Sequence, residues 1–159
     1  MLVDELVEQG LITKEDVAAQ IHCMHPAYLA HQLEATKQNL GLETIDLMYL
    51  HNAFESQSHV VKDLDHFYDR LAKAFEFYET AREAGSIQYY GMATWLCFRA
   101  KQEEEKIYLN LQKTIEVAER VAGPSHGFKF VQVPISVMMP EALVEPWQDF
   151  EPPVAGETE

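Results

Sequence analysis

The sequence predicts an α/β protein in which about four parallel strands alternate with helices, as in a partial (β/α)8 TIM barrel. Short, largely apolar segments recur along the chain, as expected of strands covered on both faces. Between them lie stretches with apolar residues three and four apart. Glycines stand at the junctions, where a left-handed residue ends a helix. Such alternation implies parallel pairing through right-handed crossovers. An open doubly wound sheet and a closed barrel both satisfy that order. No Gly-rich loop with dinucleotide-binding spacing follows any strand, which weighs against the nucleotide-binding version of the open sheet.

Taken in order, Leu2 to Gln9 reads as an opening helix that ends at Gly10. After the acidic turn Lys14-Glu-Asp16, Val17-Ala-Ala-Gln-Ile-His22 reads as the weakest of the four strands. Leu29, Leu33 and Leu40 mark one face of a helix that starts after Pro26 and stops at Gly41. Ile45-Asp-Leu-Met-Tyr-Leu50 follows as a strand. Leu64, Phe67, Leu71, Ala74, Phe75, Tyr78 and Ala81 then give the cleanest helical spacing in the chain, ending near Gly85. Gln88-Tyr-Tyr-Gly-Met-Ala93 is the third strand. Ile107, Leu111, Ile115, Ala118 and Val121 form a helix face that stops before Gly123-Pro124, and Phe128-Lys-Phe-Val-Gln-Val133 is the last strand.

The 159 residues suit one domain, with residues 1–143 as the barrel-like region and 144–159 as an acidic, Pro-containing tail or loop. A complete eight-fold barrel takes about 250 residues. Four strands would leave two long edges unpaired, an aggregation hazard. The expected partners are therefore missing barrel strands or another protein chain covering the open edges. A net charge of −14 disfavours phosphate backbones and anionic lipids. No apolar run approaches the roughly 18 residues needed to span a bilayer, so no membrane insertion is expected. The start, MLVDELVEQG, is acidic and does not read as a secretory signal. Two cysteines, Cys23 and Cys97, fit the cytoplasm or another reducing soluble compartment.

Three segments carry a family resemblance. Leu40-Gly-Leu-Glu-Thr-Ile-Asp-Leu-Met-Tyr-Leu-His-Asn52 closely resembles the fourth-strand signature of the aldo-keto reductases. Ala84-Gly-Ser-Ile-Gln-Tyr-Tyr-Gly-Met-Ala-Thr-Trp95 resembles the fifth strand, and Val131-Gln-Val-Pro-Ile135 the sixth, in the right order and spacing. Together these place most of residues 12–143 in register with strands three to six of that barrel. The resemblance implies reduction of a small carbonyl substrate by NADPH or NADH, or the reverse oxidation. It implies that His51, closing its strand, orients the substrate carbonyl at the end of the barrel where such enzymes build their sites. In the family a tyrosine donates the proton, helped by a lysine and an aspartate; a cationic neighbour makes the phenol a better acid.

The departures are specific. Aligning residues 14–22 with the third strand puts His22 where the lysine stands, with a reference pKa of about 6.5 against about 10.4. The tyrosine and aspartate have no counterpart in the chain. The serine-asparagine pair that grips the nicotinamide carboxamide reads Ala93-Thr94, leaving Thr94 and Gln132 as candidate cofactor contacts. The last two strands, whose loops bind the cofactor's phosphates, are absent. Two functions follow as expectations: an aldo-keto reductase-like oxidoreductase region using NADP, or a catalytically inactive half-barrel serving as a structural or binding subunit of a larger assembly.

Other constellations read more plainly. His22-Cys23-Met24-His25, with His31 nearby, could suggest a metal, but strand alternation sends residues 22 and 23 to opposite faces and no second cluster follows. No metal site is expected. Tyr89, Tyr90 and Trp95 read as barrel core and rim in preference to a stacking platform. The polar stretch from Asn52 to Lys62 reads as a strand-to-helix loop, either on the active face or merely exposed.

Overall fold

A computed structural model describes residues 2–104 and 106–149. Three parallel strands form its sheet, β3 (Ile45–His51), β4 (Ile87–Ala93) and β5 (Phe128–Gln132), in that spatial order. Ahead of them stand helix α1 (Leu2–Glu8), a small antiparallel hairpin of β1 (Val17–Ala18) and β2 (His22–Cys23), and helix α2 (Pro26–Leu40). Helices α3 (Ala53–Gln57) and α4 (Leu64–Glu83) connect β3 to β4, α5 (Leu111–Ala122) connects β4 to β5, and the short α6 (Glu141–Val144) follows.

The predicted strand at 17–22 is thus corrected: it is a hairpin, and the parallel sheet has three strands among the described residues. Ala19 and Gln20 take φ of 49° and 64°, and the Ile21 amide donates to the Ala18 carbonyl at 3.1 Å. That tight reversal folds the segment back on itself. Neither residue is the glycine or asparagine that announces such a turn, so the sequence reads as one continuous strand. Of the acidic segment expected at 144–159, residues 150–159 lie outside the described residues.

Helix boundaries follow their caps. Pro26 opens α2 with His25 Nδ1 accepting from the Ala27 amide, and Gly41 at φ 66° closes it. Asp63 accepts from the His66 amide to start α4. Asn110 accepts from the Lys113 amide at 2.9 Å, which starts α5 there and not at Ile107.

One face of the sheet is dry. Phe67, Leu71, Ala74, Phe75 and Tyr78 of α4 are wholly buried against it, as is Tyr90 beneath them. Phase of the helix and pleat of the strand make this possible: α4 repeats its apolar side at three and four, and β4 sends Tyr90 and Met92 to the same face. Phe75 sits 5.1 Å from Tyr90 and 5.2 Å from Phe128 between ring centroids. On the opposite face Tyr89 and Phe130 pair edge to face at 5.9 Å while each stays 42% exposed.

A buried carboxylate joins the layers. Glu79 of α4 accepts from the Tyr90 hydroxyl at 2.8 Å and the Gly127 amide at 2.6 Å through one oxygen, and from Arg82 through the other. Arg82 also donates to the Gln88 carbonyl at 3.0 Å. Burial, followed by the bond to Glu79, pushes the Tyr90 phenol far up, so it remains a donor.

Close approach of β4 and β5 requires Gly91. A Cβ there would stand 2.2 Å from the Phe130 carbonyl oxygen, beside a register shift at Tyr90/Gly91. Two outcomes are expected in urea denaturation. Glu79→Ala leaves the Tyr90 hydroxyl and Gly127 amide unpaired and costs about 3 kcal/mol. Gly91→Ala drives a methyl into backbone and costs about 2 kcal/mol. Unfolding midpoints equal to wild type would refute this account of strand docking.

Candidate active site

The carboxyl ends of the three strands bring His51, Ala93 and Gln132 side by side. His51 pairs in register with Ala93, and Ala93 with Gln132. The ladder continues one residue further: the Asn52 amide donates to the Ala93 carbonyl at 2.7 Å and the Thr94 amide to the Gln132 carbonyl at 2.9 Å. A cleft of about 210 Å³ opens above these ends, lined by His51, Asn52, Ala93, Thr94, Trp95, Gln132, Val133 and Pro134. Three of the four predicted site residues therefore meet in one cleft.

Their local environments differ. His51 and Gln132 are exposed, and Trp95 is 55% exposed at the rim. Thr94 is buried and its hydroxyl has no hydrogen-bond partner. Of the aromatic trio, Tyr90 is core, Tyr89 lies on the open face of the sheet, and only Trp95 reaches the cleft. Asn52, at φ 46° and ψ 40°, turns the chain sharply from β3 into α3; asparagine tolerates this left-handed conformation better than most residues.

Glu55 holds the two loops together. One carboxylate oxygen accepts three consecutive amides, from Trp95, Leu96 and Cys97, at 3.0, 2.9 and 3.1 Å. Such a row of amides is a concave anion seat, here filled by the protein's own carboxylate. Burial, reinforced by the nearby Glu55 charge, pushes the Cys97 thiol well up, so it stays protonated and inert. Sequence reasoning placed Glu55 in a polar loop; nothing in its spacing reveals a partner forty residues away.

His22 reaches the site by an unexpected route. It lies on the hairpin, not on a sheet strand, and its Nε2 is 3.0 Å from the His51 carbonyl oxygen. Its Nδ1 is 3.1 Å from Nε2 of Gln57, a residue with no exposed surface. Arg70 fixes the direction of this relay. A guanidinium only donates, and Arg70 donates to Gln57 Oε1 at 2.6 Å. The Gln57 amide nitrogen must then donate to His22 Nδ1, leaving Nε2–H to donate to the His51 carbonyl. His22 is accordingly neutral and immobilised, and it clamps the end of the strand that carries His51. Burial lowers its pKa below the usual 6.5; the bond to His51 opposes that shift, the His51 charge adds to it, and Glu55 opposes it.

The remaining histidine-cysteine cluster disperses. Cys23 is buried in a small core with Val3, Leu6 and Ile12, and His25 caps α2. Among the described residues no three His, Cys, Asp or Glu side chains converge to hold a metal. Nor is any described helix long and apolar enough to cross a membrane.

Strand ends that gather a histidine, a hydroxyl and a carboxamide in one cleft put polar groups at the end of the sheet where β/α folds build their sites. The sequence model of the aldo/keto reductase family matches residues 8–111, well over half of the chain, and the chain belongs to that family. No curated protein and no solved structure matches it. The match takes in His22, His51 and Thr94, and Gln132 lies beyond it.

Because the folded state holds His22 below its unfolded pKa, the unfolded chain binds the extra proton first as pH falls. Stability is expected to be full above about pH 6.5 and to decline as the pH drops from there toward the lowered value. His126 is shifted in the same direction, chiefly by burial with Lys129 adding. Denaturation at pH 7.5 and 5.5 should show the decline in wild type and a shallower one in His22→Asn. Identical slopes would show that the relay does not hold His22 neutral.

Proposed function

We propose that this region forms part of an NADP(H)-dependent carbonyl reductase site, with His51 orienting the substrate carbonyl and Thr94 and Gln132 holding the nicotinamide carboxamide. The single observation that supports this most is the strand register that brings His51, Thr94 and Gln132 to one cleft. A carboxamide ligand needs groups not already spent within the protein. Thr94 offers a hydroxyl, and Gln132 offers an exposed carboxamide with no side-chain hydrogen bond among the described residues. Ala93 offers neither. When bound, the nicotinamide supplies or receives a hydride.

His51 is exposed and belongs to the strand end that the relay steadies, so its ring can donate to a carbonyl oxygen and polarise it. His22 serves this reading as a positioning residue. Both its ring nitrogens are engaged, so it does not act as the cation beside a proton donor. The proton donor and its charged neighbours belong to strands that would complete the barrel, or to another chain along the open edges of β3 and β5.

A second reading has its own support. With His22 neutral and Ala93 in place of a hydroxyl, the chain could serve as an inactive half-barrel within a larger assembly. NADPH fluorescence titration of the chain, and aldehyde turnover by the chain together with the strands or partner that supply the proton donor, separate the two. The first reading expects NADPH binding that Thr94→Val weakens about tenfold, and a kcat that His51→Ala lowers by about 100-fold without changing NADPH affinity. Absence of both binding and turnover would favour the inactive subunit.

A further inference from the structure

We propose that a second cleft, between the start of α4 and the segment leading into α5, binds a phosphate- or pyrophosphate-bearing small molecule of about nucleotide size. The cleft measures about 660 Å³ and shares no lining residue with the one at His51. That volume lies within the range of small-molecule sites, roughly 300–1,000 Å³.

Charge selects the ligand. Lys62, Lys106 and Lys113 all line the cleft, against one lining carboxylate, Asp63. The chain carries 26 acidic residues to 12 basic ones, so three lysines on one lining stand out, although Asp65 and Glu116 also lie close enough to act on Tyr68. None of the three pairs with a carboxylate among the described residues. The amino ends of two helices, the 20-residue α4 and the 12-residue α5, open onto the same space through Asp63 and Asn110, adding positive potential.

A second observation is independent of charge. Tyr68 lines the cleft at 9% exposure, and its buried hydroxyl finds no hydrogen-bond partner. A buried polar atom without a partner is uncommon and calls for one. Burial holds the phenol well above its ordinary pKa, so it stays protonated; its oxygen has almost no accessible surface, and a ligand acceptor meets it only when the side chain turns toward the cleft. Phe54, Val61 and Leu64 give the remainder of the ligand an apolar wall. Lysines for the phosphate oxygens, a phenol for a further acceptor and an apolar side together describe a phosphorylated organic molecule.

Calorimetric titration of the full chain with inorganic pyrophosphate tests this, with sulfate at equal ionic strength as the control. Pyrophosphate should bind with Kd below about 1 mM, more tightly than sulfate, and more weakly as salt is raised. The triple variant Lys62→Gln, Lys106→Gln, Lys113→Gln, whose substitutions lie at exposed positions, should lose at least about tenfold. Tyr68→Phe should lose affinity for adenosine diphosphate severalfold while unfolding at the wild-type temperature. No binding at about 10 mM pyrophosphate, or binding that the triple variant retains, would overturn the proposal. The second outcome would place the anion elsewhere, including at the cofactor site proposed above.

Discussion

The sheet depends on where one carboxylate sits. Glu79 is buried on α4, yet it accepts hydrogen bonds from β4, from the residue before β5 and from its own helix through Arg82. A charge in that position is costly to desolvate, and the cost is offset only while all its donors are in place. This makes the arrangement close to all-or-none. The Tyr90 hydroxyl and the Gly127 amide must approach together, which sets how far β5 slides along β4. Register then propagates: Gly91 lies against Phe130, and two residues later Ala93 meets Gln132. An electrostatic constraint at the amino end of β5 thereby fixes which side chains meet at its carboxyl end.

The carboxyl end has its own restraints, and they come from outside the sheet. Glu55 binds the loop after β4 to the turn after β3, using three amides that would otherwise face the cleft unpaired. The relay from Arg70 through Gln57 and His22 anchors the His51 carbonyl to the hairpin. Backbone is held on both sides while the His51 ring stays exposed. The scaffold is thus fixed while the side chain stays accessible, the general requirement for a side chain that is to meet a ligand in a defined geometry.

Much of this was legible in the residues. The three sheet strands and the helices on 26–40 and 64–83 were readable because burial imposes a period, and caps such as Pro26 and Gly41 mark the ends. His51 was readable because it closes an apolar strand, and Thr94 and Gln132 through the resemblance of their segments to the family's fifth and sixth strands. What stayed hidden involves pairing across the chain. Glu79 falls between Tyr78 and Thr80 and reads as a solvated helix residue; its partners lie 11 and 48 residues away. The hairpin at 17–23 carries alternation that fits one strand equally well, since its turn uses Ala19 and Gln20. Lys62, Lys106 and Lys113 are scattered in sequence, and only folding assembles them into one cleft.

Size argues most directly for what the sheet lacks. The cleft at His51 offers about 210 Å³, less than the roughly 300 Å³ at which small-molecule sites begin. A dinucleotide could touch Thr94 and Gln132 there but could not be enclosed. Beside it, Tyr89 and Phe130 pair on a face that no described element covers, and among the described residues β3 and β5 each pair on one side only. Covering the 42% of each of those side chains that stays exposed would contribute about 1 kcal/mol, so an element laid over this face would be stabilised by it. The cleft lies at the carboxyl end of the sheet and the bare rings on one face of it. Gln132 stands two residues beyond Phe130 on the same strand face, so the shallow cleft and the bare rings belong to one uncovered surface.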